Sequence, residues 1–291
     1  MEAFKIIVLA KQVPDTRNVG KDAMKADGTV NRAALPAIFN PEDLQALEQA
    51  LRVKDQYPKS TITLVTMGPV RAANIIREAL FRGADNGILI TDRKFAGSDT
   101  LATSYVLSLA LKKLQPFDLI FCGRQAIDGD TAQVGPQVAE KLKIPQATYV
   151  EEVLSLRSKK ITALRRLENG VETVEVPLPL LLTVTGTAPK CRARNAKLLM
   201  KYKHACTPSE LHHQSEDYIS LHLDRPYLDI TEWDVNELQA DDSLLGLSGS
   251  PTKVKAVTNI VFTAKEAKIF GPTDAEINEL IQELVEHKNI G

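Results

Sequence analysis

A polar, glycine-containing segment directly follows an apolar run near the middle of the chain. The segment CGRQAIDGDTAQVGP spans residues 122–136 and comes after FDLIF, which has the composition of a buried strand. Glycine allows a ligand to approach the backbone closely and tolerates a positive φ. The glycines of this segment are Gly123, Gly129 and Gly135. A loop of this kind can hold a phosphate group without a lysine.

The polar side chains of the same loop suit the sugar and phosphate parts of a nucleotide. Gln125 and Thr131 offer neutral hydrogen-bond donors and acceptors. Asp128 and Asp130 would repel a phosphate, so we expect them to accept from a ribose hydroxyl or to cap the following turn. The loop therefore predicts a nucleotide site, although glycine and aspartate also serve turn formation alone in many loops between strands and helices.

The elements that would position this loop alternate between two periodicities. Short apolar runs predict strands buried on both faces, at residues 5–10, 61–67, 87–91 and 118–123. Helical patterns lie between and after them: one begins at Asn40 and Pro41, one contains Ile75 to Leu80, one runs from a cap at Ser98 or Asp99 to about Leu114, and one spans Val134 to Leu142. This alternation predicts a mainly parallel sheet with helices on both faces.

In such a sheet, ligands bind beyond the carboxyl ends of the strands. Polar loops follow all four predicted strands, with the sequences AKQVPDT, MGPVR, TDRKFAGSDT and GRQAIDGDTAQVG. None of them matches the common dinucleotide fingerprint or a P-loop. In the third loop, Ser98, Asp99 and Thr100 fit an ordinary helix N-cap and a phosphate-binding helix start equally well.

The second half of the chain has a different pattern. Residues from Thr148 to about Pro177 predict antiparallel strands, with a hairpin turn at Glu168 to Gly170, and lead to a further apolar run ending near Gly186. The segment from Thr187 to about Pro251 is polar and turn-rich, and we expect an extended arm there. A final helix begins near Thr273, and its apolar stripe consists of Ile277, Leu280, Ile281, Leu284 and Val285.

Composition argues against several classes of function. The chain has 291 residues, of which 44% are hydrophobic, and its 36 basic and 37 acidic residues give a net charge of -1. The near-zero net charge argues against a nucleic-acid partner. Because no run approaches about 20 apolar residues, we expect no membrane insertion and a cytoplasmic location. Three cysteines without a C-x-x-C pair favour a reducing compartment, and Cys122 is expected to be a core residue. The histidines lack metal-ligand spacing and are expected on the solvated surface: His204, His212, His213, His222 and His287.

Several motifs together resemble the beta subunit of electron transfer flavoproteins. They are AKQVPD after the first strand, NPEDLQALEQAL from Asn40, TMGP after the second strand and GRQAIDGDTAQVGPQVAE from Gly123. The similarity runs from about Phe4 to Thr185 and resumes at GLSGSPTKV, from Gly246 to Val254. The resemblance implies a Rossmann-like domain over residues 1–186 that binds an adenine nucleotide. It also implies that residues 187–291 supply a partner-docking loop, an arm and the C-terminal helix.

The resemblance further implies where the nucleotide is bound. The predicted cofactor-binding residues are Ala10, Lys11, Val13, Asp15, Asn40, Pro41, Glu42, Asp43, Met67, Gly68, Asp99, Thr100, Thr103, Gly123, Arg124, Gln125, Ala126, Ile127, Asp128, Gly129, Asp130, Thr131, Ala132, Gln133, Val134 and Gly135. No catalytic side chain and no metal site are predicted. The chemistry would belong to a flavin, with the protein as an electron carrier.

Two kinds of nucleotide remain open within this resemblance. The stretches DGDTAQVGP, VPD and GSDTLATS look like the electron-bifurcating members, which implies FAD, NADH as electron donor and a low-potential acceptor such as ferredoxin. The alternative is the respiratory type, in which AMP is a structural ligand in a single-FAD shuttle. Both types pair with an alpha subunit and serve a flavin-dependent dehydrogenase. A non-redox adenine-nucleotide-binding module is a third interpretation, but it leaves the resumed match at residues 246–254 unexplained. The stretch APKCRARNAKLLMKYKHA departs from the members that dock acyl-CoA dehydrogenases.

Overall fold

Strands and helices alternate through the first half of the chain in the computed structural model, which describes residues 2–15, 36–212, 216–252 and 268–286. The strands are β1 (Lys5–Leu9), β2 (Gln12–Pro14), β3 (Ala37–Phe39), β4 (Thr61–Met67), β5 (Asn86–Ile90), β6 (Leu119–Gly123), β7 (Gln146–Arg157), β8 (Lys160–Leu167), β9 (Gly170–Pro177), β10 (Leu180–Val184) and β11 (Thr231–Trp233). The α-helices are α1 (Pro41–Gln56), α2 (Ala73–Leu80), α3 (Thr100–Lys113), α4 (Val134–Leu142), α5 (Ala196–Tyr202), α6 (Pro208–Leu211), α7 (Glu216–Asp224) and α8 (Asp274–Glu286).

Nine of these strands form one sheet in the order β11-β5-β4-β1-β6-β10-β7-β8-β9. All neighbours from β11 to β7 pair in parallel, whereas β7, β8 and β9 pair antiparallel. The strands β2 and β3 make a separate antiparallel pair. The predicted fold class is therefore confirmed: a mainly parallel α/β sheet, an added antiparallel region and a C-terminal helix.

The core consists of two apolar layers, one on each face of the sheet. Successive residues of β1 point to opposite faces, so Ile6 and Val8 pack with α1 and α2, whereas Ile7 and Leu9 pack with α3 and α4. This placement explains why the strands are apolar almost without interruption. A strand covered by helices on both faces has no solvent-facing side to alternate with.

The strand order reverses direction at β1. From β1 the chain passes to β4 and β5 on one side of the sheet, and later to β6 and β10 on the other. The loops after β1 and β6 consequently diverge and leave a crevice at the carboxyl edge, which is the usual ligand position in open parallel sheets.

The chain after Gly186 is more regular than the sequence predicts. It contains α5, α6 and α7 and returns to the sheet as β11, which pairs with the edge strand β5. The apolar side chains of Val235, Leu238 and Leu245 are buried in the same layer as α3. The division of function between residues 1–186 and 187–291 stays a prediction.

One of the expected surface histidines is buried. The His222 side chain is 5% exposed, its Nδ1 lies 2.6 Å from an Asp229 carboxylate oxygen, and its Nε2 lies 3.0 Å from the His204 carbonyl oxygen. The expectation of a solvated His222 is therefore wrong, because the Asp229 carboxylate and the His204 carbonyl give the buried ring polar partners. The predictions for His213 and His287 lie outside the described residues.

Candidate functional site

A cavity of about 710 Å³ opens at the carboxyl edge of the sheet. Its walls come from the loops after β1, β4, β5 and β6, which are the four loops that the sequence predicts as a ligand site. The cavity therefore extends across β1 to both sides of the point where the strand order reverses. Its volume lies within the usual range for a cofactor site, about 300–1,000 Å³.

The loop after β6 is held in place by the first turn of α1. The Asn40 side chain donates from Nδ2 to the Gln125 carbonyl (2.9 Å) and accepts from the Ile127 backbone N–H (3.1 Å). The Glu42 carboxylate accepts from the Gln125 backbone N–H (2.9 Å) and pairs with Arg124 (3.1 Å). Side chains that the resemblance implies as nucleotide contacts thus make hydrogen bonds to the backbone of the loop.

Asp43 lies deeper, at the junction of two strands. Its two carboxylate oxygens accept from the backbone N–H groups of Lys11 and Gly123, each at 2.8 Å. A side chain at position 123 has no room, because a Cβ there would lie 2.6 Å from the nearest Asp43 oxygen. Glycine at this position therefore lets the carboxylate approach the end of β6.

The three glycines of the loop have different roles. A Cβ at Gly135 would lie 2.8 Å from Thr183 Cγ2, so this glycine lets α4 pack closely on β10. A Cβ at Gly129 would meet nothing within 4 Å, and this residue lines the cavity. None of these three glycines has a positive φ, so the conformational freedom of glycine is not used at these positions. The positive φ angles of the loop occur at Asp130 (49°) and Ala132 (52°).

The acids of the loop have protein partners. The Lys11 ammonium group lies 2.8 Å from the Asp128 carboxylate and joins the first loop to the fourth. The Asp130 carboxylate accepts from the Gln125 side chain at 2.9 Å. The Asp128 charge is thus paired with a cation, whereas Asp130 keeps its charge and has a neutral amide as its hydrogen-bond partner.

Two helices begin at the cavity, and they differ at their N-termini. Asp99 caps α3 and accepts from the backbone N–H groups of Leu101 (2.9 Å) and Ala102 (3.0 Å). The first turn of α4 receives no side-chain cap, and its residues Val134 and Gly135 line the cavity. An uncapped helix N-terminus presents backbone N–H groups and the positive end of the helix dipole, so α4 is the better position for an anionic group.

The segment at residues 246–252 braces the loop after β5. The Thr252 backbone N–H donates to the second Asp99 oxygen (3.0 Å), and the Asp99 backbone N–H donates to the Ser250 hydroxyl (2.8 Å). Burial favours the neutral form of Asp99, but the Thr252 hydroxyl and the backbone N–H donors hold its pKa below the ordinary value. The resumed sequence match at GLSGSPT thus lies against the cavity wall.

The structure brings most of the predicted site residues to this cavity. The predicted residues that line it are Ala10, Lys11, Asp43, Met67, Gly68, Asp99, Thr100, Thr103, Gly123, Arg124, Gln125, Ala126, Gly129, Asp130, Thr131, Val134 and Gly135. The remaining predicted residues are not among those that line it: Val13, Asp15, Asn40, Pro41, Glu42, Ile127, Asp128, Ala132 and Gln133. Among these, Gln133 accepts from the Thr100 hydroxyl (2.8 Å) and so connects α4 with α3.

The prediction missed the apolar wall and most of the loop after β5. The missed lining residues include Leu9, Val65, Phe95, Gly97 and Leu107. These residues lie at strand ends, in the third predicted loop or, for Leu107, in α3. They carry no distinct sequence signal, because an apolar side chain has the same type whether it faces a ligand or the core.

Comparison with known proteins identifies the family of this chain. Residues 27–201 match the electron transfer flavoprotein domain. Over 286 residues, 98% of each chain, the sequence is 42% identical to the electron transfer flavoprotein subunit beta of Thermoanaerobacterium thermosaccharolyticum. The chain belongs to the electron transfer flavoprotein beta-subunit family. It is 44% identical to the acryloyl-CoA reductase electron transfer subunit gamma of Anaerotignum propionicum, with 86% of each chain covered.

A further relative of this beta subunit is the caffeyl-CoA reductase-Etf complex subunit CarD of Acetobacterium woodii. The two are 49% identical over 180 residues, which cover 62% of this chain and 68% of the relative. Beta subunits of this family pair with an alpha subunit and work with dehydrogenase complexes. Among the described residues, no helix has both the length and the apolar character needed to cross a bilayer.

Proposed function

We propose that the cavity binds FAD and that this beta subunit accepts electrons there from NADH. The observation that carries the proposal is the extent of the cavity, which measures about 710 Å³ and reaches loops on both sides of β1. A mononucleotide such as AMP needs one half of such a crevice, whereas a dinucleotide lies across it. The extent of the cavity therefore favours FAD over AMP.

The residues present fit a dinucleotide. The uncapped N-terminus of α4 would hold the pyrophosphate, and the open position at Gly129 leaves room for it beside the loop. The apolar side chains of Leu9, Val65 and Phe95 would exclude water from the ring system. When bound, FAD would accept two electrons together and release them one at a time.

We extend the proposal to electron bifurcation. One electron passes through the alpha-subunit flavin to a high-potential, flavin-dependent dehydrogenase, and the other passes to a low-potential acceptor such as ferredoxin. The relatives support the partner class, because the names of two of them refer to reductases of CoA esters. The stretch APKCRARNAKLLMKYKHA departs from the members that dock acyl-CoA dehydrogenases, so the proposed partner of this chain is a flavin-dependent dehydrogenase whose substrate is left open.

The number of flavins per heterodimer tests the proposal. The beta chain is produced together with its alpha subunit, and the purified heterodimer is analysed for flavin and AMP after denaturation. We expect two FAD molecules, no AMP and reduction of flavin on addition of NADH. One FAD together with one AMP would contradict the proposal and identify the single-flavin shuttle. A heterodimer without flavin would exclude both interpretations.

A further inference from the structure

Asp43 joins the ends of two strands beneath the cavity. The strands β1 and β6 pair in parallel up to Val8 and Phe121. Beyond this last pair, the Asp43 carboxylate accepts from the backbone N–H groups of Lys11 and Gly123. The carboxylate thus takes the place of a backbone partner where the two strands diverge, and it sets the distance between the first and fourth loops.

The same two strands are joined by another aspartate at their opposite ends. The Asp118 carboxylate accepts from the Lys5 backbone N–H at 2.7 Å, at the start of β1 and just before β6. This position lies at the amino edge of the sheet, away from the cavity. Each of the two aspartates accepts a backbone hydrogen bond where β1 and β6 lie side by side, but only Asp43 lines the cavity.

We propose that Asp43 is a positioning residue that holds the first and fourth loops beneath the nucleotide, and that nucleotide binding is coupled to the uptake of a proton at its carboxyl group. The inference rests on the proposed function insofar as the ligand is FAD. Protonation of the Asp43 carboxyl group would make nucleotide affinity depend on pH, whereas a purely structural hydrogen bond would not.

The surroundings of Asp43 make its charge sensitive to a bound anion. Burial raises the pKa of Asp43 to about 7, against the backbone N–H donors of Lys11 and Gly123, and the nearby Glu42 adds to the rise. The Glu42 carboxylate and the Cys122 thiol interact electrostatically with Asp43, and a hydrogen bond with the Asn40 side chain lowers its pKa; the next charged groups on the two loops are Lys11, Arg124 and Asp128. The cations among them are already paired with Glu42 and Asp128, and burial raises the pKa of the Cys122 thiol, which therefore stays neutral.

Binding of a nucleotide raises the pKa of Asp43 further. An anionic pyrophosphate disfavours a second negative charge nearby, and the ligand excludes the remaining water from the cavity. A group with a higher pKa in the complex than in the free protein takes up a proton on binding. Affinity is therefore full at low pH and falls as the pH rises above the pKa of the free protein, until the pKa of the complex is passed.

Calorimetry with FAD tests the coupling on the full chain freed of nucleotide. For the wild type, we expect the association constant to fall between about pH 6 and about pH 9, by up to about tenfold per pH unit. Asp43→Asn is neutral throughout and accepts only one of the two N–H groups, so its affinity is lower at acid pH and does not change with pH. The matched control Asp118→Asn retains the wild-type affinity and slope. Equal slopes in wild type and Asp43→Asn would overturn the proposal.

Proton uptake is also measurable without a substitution, which covers the case that Asp43→Asn does not fold. The binding heat of the wild type at about pH 7.5 is compared in buffers of different ionisation enthalpy, and uptake of a fraction of a proton is expected. A binding heat independent of buffer would overturn the coupling. If AMP binds and FAD does not, the choice of cofactor fails. The coupling is then tested with AMP. Because the AMP phosphate itself titrates, the pH dependence measured with Asp43→Asn is subtracted from that of the wild type.

Discussion

At the scale of single residues, Gly129 is a position where we expect a substitution to weaken ligand binding without destabilising the fold. Its missing side chain has open space around it, and its backbone has no positive φ, so the protein itself does not require glycine there. We predict that Gly129→Val leaves the fold intact and lowers FAD affinity by about tenfold or more, a loss of at least ~1.4 kcal/mol, because the added side chain enters the cavity. Flavin content and thermal unfolding of the purified variant are the measurements.

A valine at an exposed position far from the cavity serves as control. Lys59 lies in the exposed loop before β4, at the amino edge of the sheet. Lys59→Val is expected to keep its flavin. If Gly129→Val retained full flavin content as well, the pyrophosphate would not lie along this loop, and the assignment to the N-terminus of α4 would be wrong.

The sequence predicts where the loop of the candidate site lies, but not what each of its glycines does. The polar and glycine-rich composition of the loop from Gly123 to Gly135 predicts a ligand site, and most residues of this loop line the cavity, whereas ligand binding there stays a prediction. The individual roles were not predictable. Gly123 makes room for Asp43 and Gly135 for Thr183, and both neighbours come from distant parts of the chain. A close approach between elements leaves no local signal beyond the glycine itself.

At the scale of elements, the N-terminus of α3 depends on Asp99. Its carboxylate caps the helix and also receives the backbone N–H of Thr252. Loss of an N-cap costs about 1 kcal/mol of stability. We predict that Asp99→Ala lowers the free energy of unfolding by roughly this amount and that Asp99→Asn, which keeps a capping oxygen, recovers most of it. Urea unfolding at neutral pH measures both.

The pH dependence of this effect has a defined sign. The pKa of Asp99 is lowered in the folded protein, so its contribution is present above the ordinary aspartate pKa of about 4 and is lost as the pH falls through the lower value of the native state. The difference between wild type and Asp99→Ala is therefore constant from about pH 6 to about pH 8 and shrinks toward about pH 3. A difference that grows on acidification would contradict the capping role.

Elements with a strong period were predictable, and short edge elements were not. The predicted strand at residues 61–67 coincides with β4, and the predicted helix from Val134 to Leu142 coincides with α4. The strand β11 has three residues and gains its stability from pairing with β5, which lies far away in the sequence. The helices α5 to α7 are short and lie in a polar, turn-rich segment, where no apolar stripe distinguishes a helix from a loop.

At the scale of the whole molecule, the C-terminal helix α8 has an apolar stripe that the described chain does not bury. None of its residues is buried, and Ile277, Ile281 and Val285 are 43%, 46% and 52% exposed. An isolated helix of 13 residues is marginal in water, so its apolar stripe requires a partner surface. Beta subunits of this family pair with an alpha subunit, which is the partner that we expect to cover it.

We predict that truncation after Phe270 leaves nucleotide binding intact and weakens the complex with the alpha subunit. A sharper test keeps the helix and changes its apolar face: Ile281→Glu places a charge within the stripe, whereas Gln282→Glu makes the same charge change at the neighbouring polar position. Because glutamate is a good helix former, both variants retain α8. Size-exclusion chromatography and titration with purified alpha subunit should show at least about tenfold weaker binding for Ile281→Glu alone. Equal binding by both variants would show that the stripe does not contact the alpha subunit, and insolubility of the truncated chain would show instead that α8 covers its own core.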